Sequence, residues 1–215
     1  MEIRKDQLNK EKIMNDIIKK GIQNGMSYGD YQQMIDSLLA ENKTTGPNQS
    51  EEYIDYTKLN VVRMRRLDKT TRIRENIQEM VQSIHRPQTW LVITEAWCGD
   101  AAQIVPVVNK LADLNPNITV KHVLRDENLE LMDMFLTNGA RAIPMIVFID
   151  DETNEVVGKW GPRPEEIQQA VIARKSDPAP ISYSEFNKEV QKWYAKDKTT
   201  SIQQELTTAL AGSVS

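Results

Sequence analysis

Apolar positions at the start of the chain recur at helical spacing. Leu8, Ile13, Ile17 and Ile18 do so against Lys and Glu, which predicts a helix over residues 4–20. Gly21, Gly25 and Gly29 punctuate the next stretch. Ser27 is placed to cap a second helix, with Tyr31, Met34, Ile35, Leu38 and Leu39 on its apolar face. Residues 42–50, NKTTGPNQS, are polar and contain Gly-Pro, which predicts a flexible linker. Residues 1–50 are therefore expected as a helical hairpin or mobile arm, an accessory packing element in preference to a docking module.

From Glu51 the apolar positions Tyr53, Ile54, Leu59, Val62, Met64 and Leu67 mix with a basic cluster of Arg63, Arg65, Arg66, Lys69, Arg72 and Arg74. Ile73, Ile77, Met80, Val81 and Ile84 then predict a helix from about Asp68 to His85, ended by Arg86-Pro87. The basic cluster suits either an anionic partner or a solvated face paired with Glu75 and Glu79, and the second is favoured.

The pattern then changes to short apolar runs. Trp90–Glu95 reads as a buried strand, and Ala101–Leu114 as a helix with Pro106 inside it, where a kink is expected. Ile118–Leu124 alternates and should lie parallel to the first strand. Residues 128–138 read as a helix stopped by Gly139. Met145–Ile149 is a third strand, and Glu155–Trp160 its antiparallel partner. A stiff loop, Gly161-Pro162-Arg163-Pro164, leads to a helix over Glu165–Lys175. After a break at Asp177–Pro180, Ser182 caps a further helix through Phe186, Val190, Trp193 and Tyr194. Residues 199–215 are expected as a short helix through Ile202, Leu206 and Leu210 with a frayed tail. The order from Thr89 predicts an α/β fold: a central mixed β-sheet with helices on both faces.

Composition narrows the function. The chain has 215 residues, 40% hydrophobic and 27% charged, with a net charge of −4. That length suits one domain plus appendages, expected as 1–50, 51–176 and 177–215. The acidic balance argues against general nucleic-acid binding. The N-terminus lacks an apolar signal segment and no run approaches a membrane span, so neither secretion nor a membrane partner is expected. One cysteine, Cys98, excludes a disulfide within the chain and suits a reducing cytoplasm. Two scattered histidines, His85 and His122, make no metal site with it, and no cofactor is expected.

The candidate chemistry lies in Thr89–Ala101, TWLVITEAWCGDA. A buried strand delivers Cys98 to the start of a helix, where first-turn N–H groups and the dipole favour a thiolate. Asp100 opposes it from two residues away. Ala101 stands where a second cysteine would complete a dithiol. Cys98 is then either a monothiol nucleophile or a buried inert cysteine. Trp97, Glu95, Arg125, Asp126 and Arg163 each admit a site role: groove wall, proton shuttle, ligand contacts on the strand edge, anion contact. Each also has an ordinary packing or ion-pair alternative.

Trp97-Cys98-Gly99 at a strand–helix junction, with Ile143-Pro144 before the third strand, resembles the thioredoxin fold. More narrowly, the chain resembles bacterial thioredoxin-like proteins that carry a WCGD segment and a helical N-terminal extension. The matching stretches are residues 56–60, 94–103 (TEAWCGDAAQ), 125–128, 136–139, Ile143-Pro144 and 160–164 (WGPRP). The resemblance implies a cis Pro144 opposite Cys98, and a substrate groove from Trp97, Gly99, Asp100, Ile143, Pro144 and Arg163. It implies a thiol- or disulfide-bearing protein, or a low-molecular-weight thiol, as partner. Two departures stand out: Ala101 replaces the resolving cysteine, and Val92 the buried acid. Monothiol exchange at Cys98 is therefore the first expectation, and a non-catalytic binding module on the same fold the second.

Overall fold

The computed structural model describes the backbone of residues 2–211 and the side chains of residues 12–210. The expected apolar position Leu8 and the expected tail from 212 lie outside them. The element order is α1 (Glu2–Asn24), α2 (Tyr28–Ala40), α3 (Glu51–Thr70), α4 (Glu75–Gln82), β1 (Gln88–Thr94), α5 (Gly99–Ala112), β2 (Ile118–Leu124), α6 (Leu129–Asp133), β3 (Met145–Asp150), β4 (Val156–Trp160), α7 (Glu165–Ser176), α8 (Tyr183–Asp197) and α9 (Thr200–Ala211).

Among the described residues the strands form one mixed sheet in the order β2-β1-β3-β4. β1 is parallel to β2 and antiparallel to β3, and β4 is antiparallel to β3. Every residue of β1 and β3 is buried, which is why both read as unbroken apolar runs. Val92, His122, Ile146 and Trp160 share a level in the register and one face. Here α5 packs, with Asn109 Nδ2 3.0 Å from His122 Nε2. On the opposite face lies Leu91. α1 crosses there, close enough that a Cβ on Gly21 would meet the side chains of Leu91 and Leu131.

The first helices are part of this core. Met26 and His122 exchange two backbone hydrogen bonds of 2.8 Å, so the α1–α2 junction covers the outer edge of β2. Tyr31 stacks on the His122 ring at 5.5 Å, and Ile18, Tyr31 and Ile35 are buried. Ser27 caps α2 in a reciprocal capping box with Asp30. Ile13, expected on the apolar face, is half exposed instead.

Three local expectations are corrected. Residues 42–50 are not a flexible linker but a braced strap. Thr44 and Thr45 are buried. The Thr44 and Thr57 hydroxyls are hydrogen-bonded at 2.5 Å, and the Thr45 hydroxyl accepts the Ala96 N–H at 2.9 Å. The helix expected over 68–85 is two helices, with an extended break at 71–74. Gln203 of α9 satisfies the backbone freed there, accepting the Arg74 N–H and donating to the Arg72 carbonyl, each at 3.0 Å. The helix expected over 128–138 stops at Asp133. Thr137 and Ala140 instead exchange backbone bonds around Asn138 (φ 50°) and Gly139 (φ 75°), so Gly139 serves a two-residue turn and not a helix stop.

At the C-terminal end, α9 buries Ile202, Leu206 and Leu210. Burial of each such side chain contributes about 1.5–3 kcal/mol. Gly158 of β4 admits the Ala209 carbonyl, which a Cβ there would crowd at 3.1 Å. No helix among the described residues is long and apolar enough to cross a membrane.

Candidate functional site around Cys98

β1 ends at Thr94, and the chain turns through Glu95–Cys98 with the Cys98 N–H donating to the Glu95 carbonyl at 3.1 Å. Cys98 is the N-cap of α5. It is 8% exposed, and its thiol donates to the Ile143 carbonyl at 3.4 Å. The Ile143–Pro144 and Gly161–Pro162 peptides are both cis. Gly161 (φ 134°) lies directly on Pro144, where any Cβ would collide with the Pro144 carbonyl. That contact brings the Trp160–Pro164 loop to the thiol.

Arg163 from this loop donates from Nε and Nη2 to Asp100 Oδ2, both at 2.8 Å. The Tyr194 hydroxyl of α8 donates to Asp100 Oδ1 at 2.8 Å. Beside them Gln103 Nε2 donates to Gln191 Oε1 at 2.7 Å, and Gln191 Nε2 reaches the Gly99 carbonyl at 3.4 Å. The structure thus gathers Cys98, Gly99, Asp100, Ile143, Pro144 and Arg163 at one place, with Tyr194 and Gln191 of α8 hydrogen-bonded to Asp100 and Gly99.

Burial first, and the Asp100 charge second, push the Cys98 thiol up to about 12. The Ala101 N–H, Arg163 and the Asp100 N–H pull it down by less. The helix terminus therefore loses to desolvation, and the thiol is protonated in this closed form. Burial, then the Asp100 carboxylate, likewise raise the Tyr194 phenol, so it remains a donor.

Glu95, Trp97, Arg125 and Asp126 form a second connected set. The Asp126 N–H donates to Glu95 Oε1 at 2.9 Å. Arg125 pairs with Asp126 at 2.8 Å, and its guanidinium lies 4.8 Å from the Trp97 ring centroid. Tyr53 packs against this cluster, 5.1 Å from Trp97. Glu95 Oε2 and Trp97 Nε1 are buried without a hydrogen-bond partner. Burial raises the Glu95 pKa against the Thr45 hydroxyl and the Asp126 N–H, which lower it. Among the described residues no group of three or more His, Cys, Asp or Glu is placed to hold a metal ion.

Sequence reasoning missed Tyr194, Gln191 and Asn60. Asn60 is buried on α3 and donates to the Ala96 carbonyl at 2.8 Å, holding the turn before Cys98. The available signal was polar residues at helical spacing beside core positions: Gln191 and Tyr194 flank Val190 on α8, and Thr57 and Asn60 precede Met64 on α3.

A family model described as thioredoxin matches residues 46–194, more than half of the chain. No curated protein sequence matches. Two solved structures share the fold. One is a protein of unknown function from Pseudomonas aeruginosa, at 16% identity and a TM-score of 0.59, covering 90% of this chain and 96% of that one. The other is an HIV epitope scaffold, at 17% identity and a TM-score of 0.57, covering 90% and 97%.

Proposed function

We propose, starting from the fact that this chain belongs to the thioredoxin family, that Cys98 is a monothiol for disulfide exchange, held closed at rest. The observation that supports this reading is the position of its Sγ: at the N-cap of α5 and 3.4 Å from the Ile143 carbonyl, beside Pro144. An extended disulfide-bearing segment pairing with the Ile143 backbone would present a sulfur to it. In the step, the Cys98 thiolate attacks one sulfur, the S–S bond breaks, and the departing thiolate takes up a proton. A second, external thiol then attacks the mixed disulfide and restores Cys98, since Ala101 offers no resolving sulfur. A single free thiol suits a cytoplasmic setting.

The test is incubation of the native chain with oxidised glutathione, then intact-mass measurement. One glutathionyl adduct on Cys98, reversed by dithiothreitol and absent from Cys98→Ser, is the expected result. No adduct after long incubation would sink the reading.

The high Cys98 pKa favours a second reading, in which the fold binds a partner without using the thiol. Under it, Cys98→Ser keeps every interaction of the native chain.

A further inference from the structure

We infer that α8 is a built-in cap that must lift from α5 before Cys98 can react. The inference rests on the thiol-exchange reading for its purpose, not for its geometry. α8 touches the start of α5 through three side-chain hydrogen bonds: Tyr194 to Asp100, Gln103 to Gln191, and Gln191 to the Gly99 carbonyl. No charged pair joins the two helices among the described residues. Such bonds each contribute a modest net stability, so the closed form is favoured without being locked.

The flanks of α8 are built differently from its neighbours. The connector from Asp177 to Ser182 contains Pro178 and Pro180, and all six of its residues are exposed. At the other end Lys198 (φ 53°) and Thr199 (φ 68°) are consecutive left-handed residues, a sharp reversal between α8 and α9. α9 is anchored on its own account. Its Ile202, Gln203 and Leu206 are buried, and Glu205 accepts from the Trp160 indole N–H at 3.3 Å and the Glu165 N–H at 3.1 Å. α8 buries only Val190 and Tyr194. Its ties to α7 and α9 do not cross to α5: Trp193 Nε1 donates to Glu166 Oε1 at 2.7 Å, Arg174 donates to the Ile181 carbonyl at 2.9 Å and lies 5.5 Å from the Phe186 ring centroid, and Asp197 Oδ1 accepts from the Ser201 hydroxyl at 2.7 Å. α8 can therefore part from α5 while it stays attached to α7, and the sheet and α9 remain intact.

The experiment is labelling of Cys98 by iodoacetamide in the full chain, read by intact mass. In the native protein the rate is expected to be proportional to reagent concentration and far below that of the unfolded chain, because only the open fraction reacts. The double variant Gln191→Ala/Tyr194→Phe should raise the labelling rate by about tenfold to a hundredfold, as the loss of these bonds implies, with native near-ultraviolet dichroism. Native-state hydrogen exchange should show α8 amides opening before those of α5 and α9. This second measurement decides the matter if the variant does not fold. An unchanged rate in a folded variant, or α8 exchanging together with α9, would overturn the cap. Faster labelling without a glutathione adduct would leave the cap standing and remove the exchange chemistry.

Discussion

Asp100 is the residue on which the chemistry of the site turns. Its carboxylate takes two bonds from Arg163 and one from Tyr194, and its charge is the largest electrostatic force holding the Cys98 thiol protonated. Asp100→Asn keeps acceptor oxygen for these donors and removes the charge, leaving Arg163 unneutralised near the sulfur. The expected outcome is a downward shift in the midpoint of the alkylation rate against pH. The native chain itself should show no midpoint below about 9, the ordinary value from which burial raises it. Loosening of α8 relieves burial and lowers the midpoint as well, so Gln191→Ala/Tyr194→Phe is profiled alongside, and a larger downward shift in Asp100→Asn assigns the excess to the charge. An unmoved midpoint would remove Asp100 from control of the thiol. At this scale the sequence is informative about position and silent about burial. A cysteine after a buried strand and before an apolar helix is legible, as is Asp100 two residues on. Tyr194 is 94 residues from Asp100 in sequence, and nothing local announces that contact.

At the scale of elements, legibility tracks the purity of the pattern. β1, β3 and α5 bury nearly all their residues and are legible as apolar runs. α3 is not, because its buried face includes Thr57 and Asn60 while Leu59 and Val62 point outward at 53% and 66% exposure. The 42–50 strap misleads for a related reason. Thr44 and Thr45 are not solvated but spend their hydrogen bonds inward, on Thr57 and Ala96, and the exposed Gln49 braces the Thr44 and Gly46 carbonyls. Gly46 is the strictest position in it. It holds φ 76°, and a Cβ would lie 2.6 Å from Asp126 Oδ2 and 3.4 Å from Trp97 Nε1. Gly46→Ala should therefore destabilise the fold by roughly 1–3 kcal/mol through strain and clash together. Urea unfolding monitored by tryptophan fluorescence measures it. A change within a few tenths would mean that the strap is as loose as its composition suggests.

The whole molecule is tied together at His122, where arm, sheet and α5 meet. Its ring stacks on Tyr31, Nδ1 lies 3.2 Å from the Met26 carbonyl, and Nε2 faces Asn109. Burial lowers its pKa from 6.5 to about 4, against the Met26 carbonyl, which raises it. Above pH 6.5 the ring is neutral in both folded and unfolded chains, and its contribution is fully present. As pH falls from 6.5 towards 4 the unfolded chain takes up a proton that the folded one refuses, and stability is lost. The loss approaches about 3 kcal/mol at the bottom of that window. Glu95, whose pKa is raised, works in the opposite direction. Its stabilisation is present below its unfolded value and lost as pH rises through the folded one, so it partly offsets His122 on acidification. Comparing His122→Gln with the native chain isolates the histidine. The variant is expected to be less stable at pH 7 and to lose less stability between pH 7 and 4. Parallel curves for the two proteins in urea unfolding across that range would show that His122 is not held neutral, and that the seam between the first two helices and the sheet does not respond to acid through this ring.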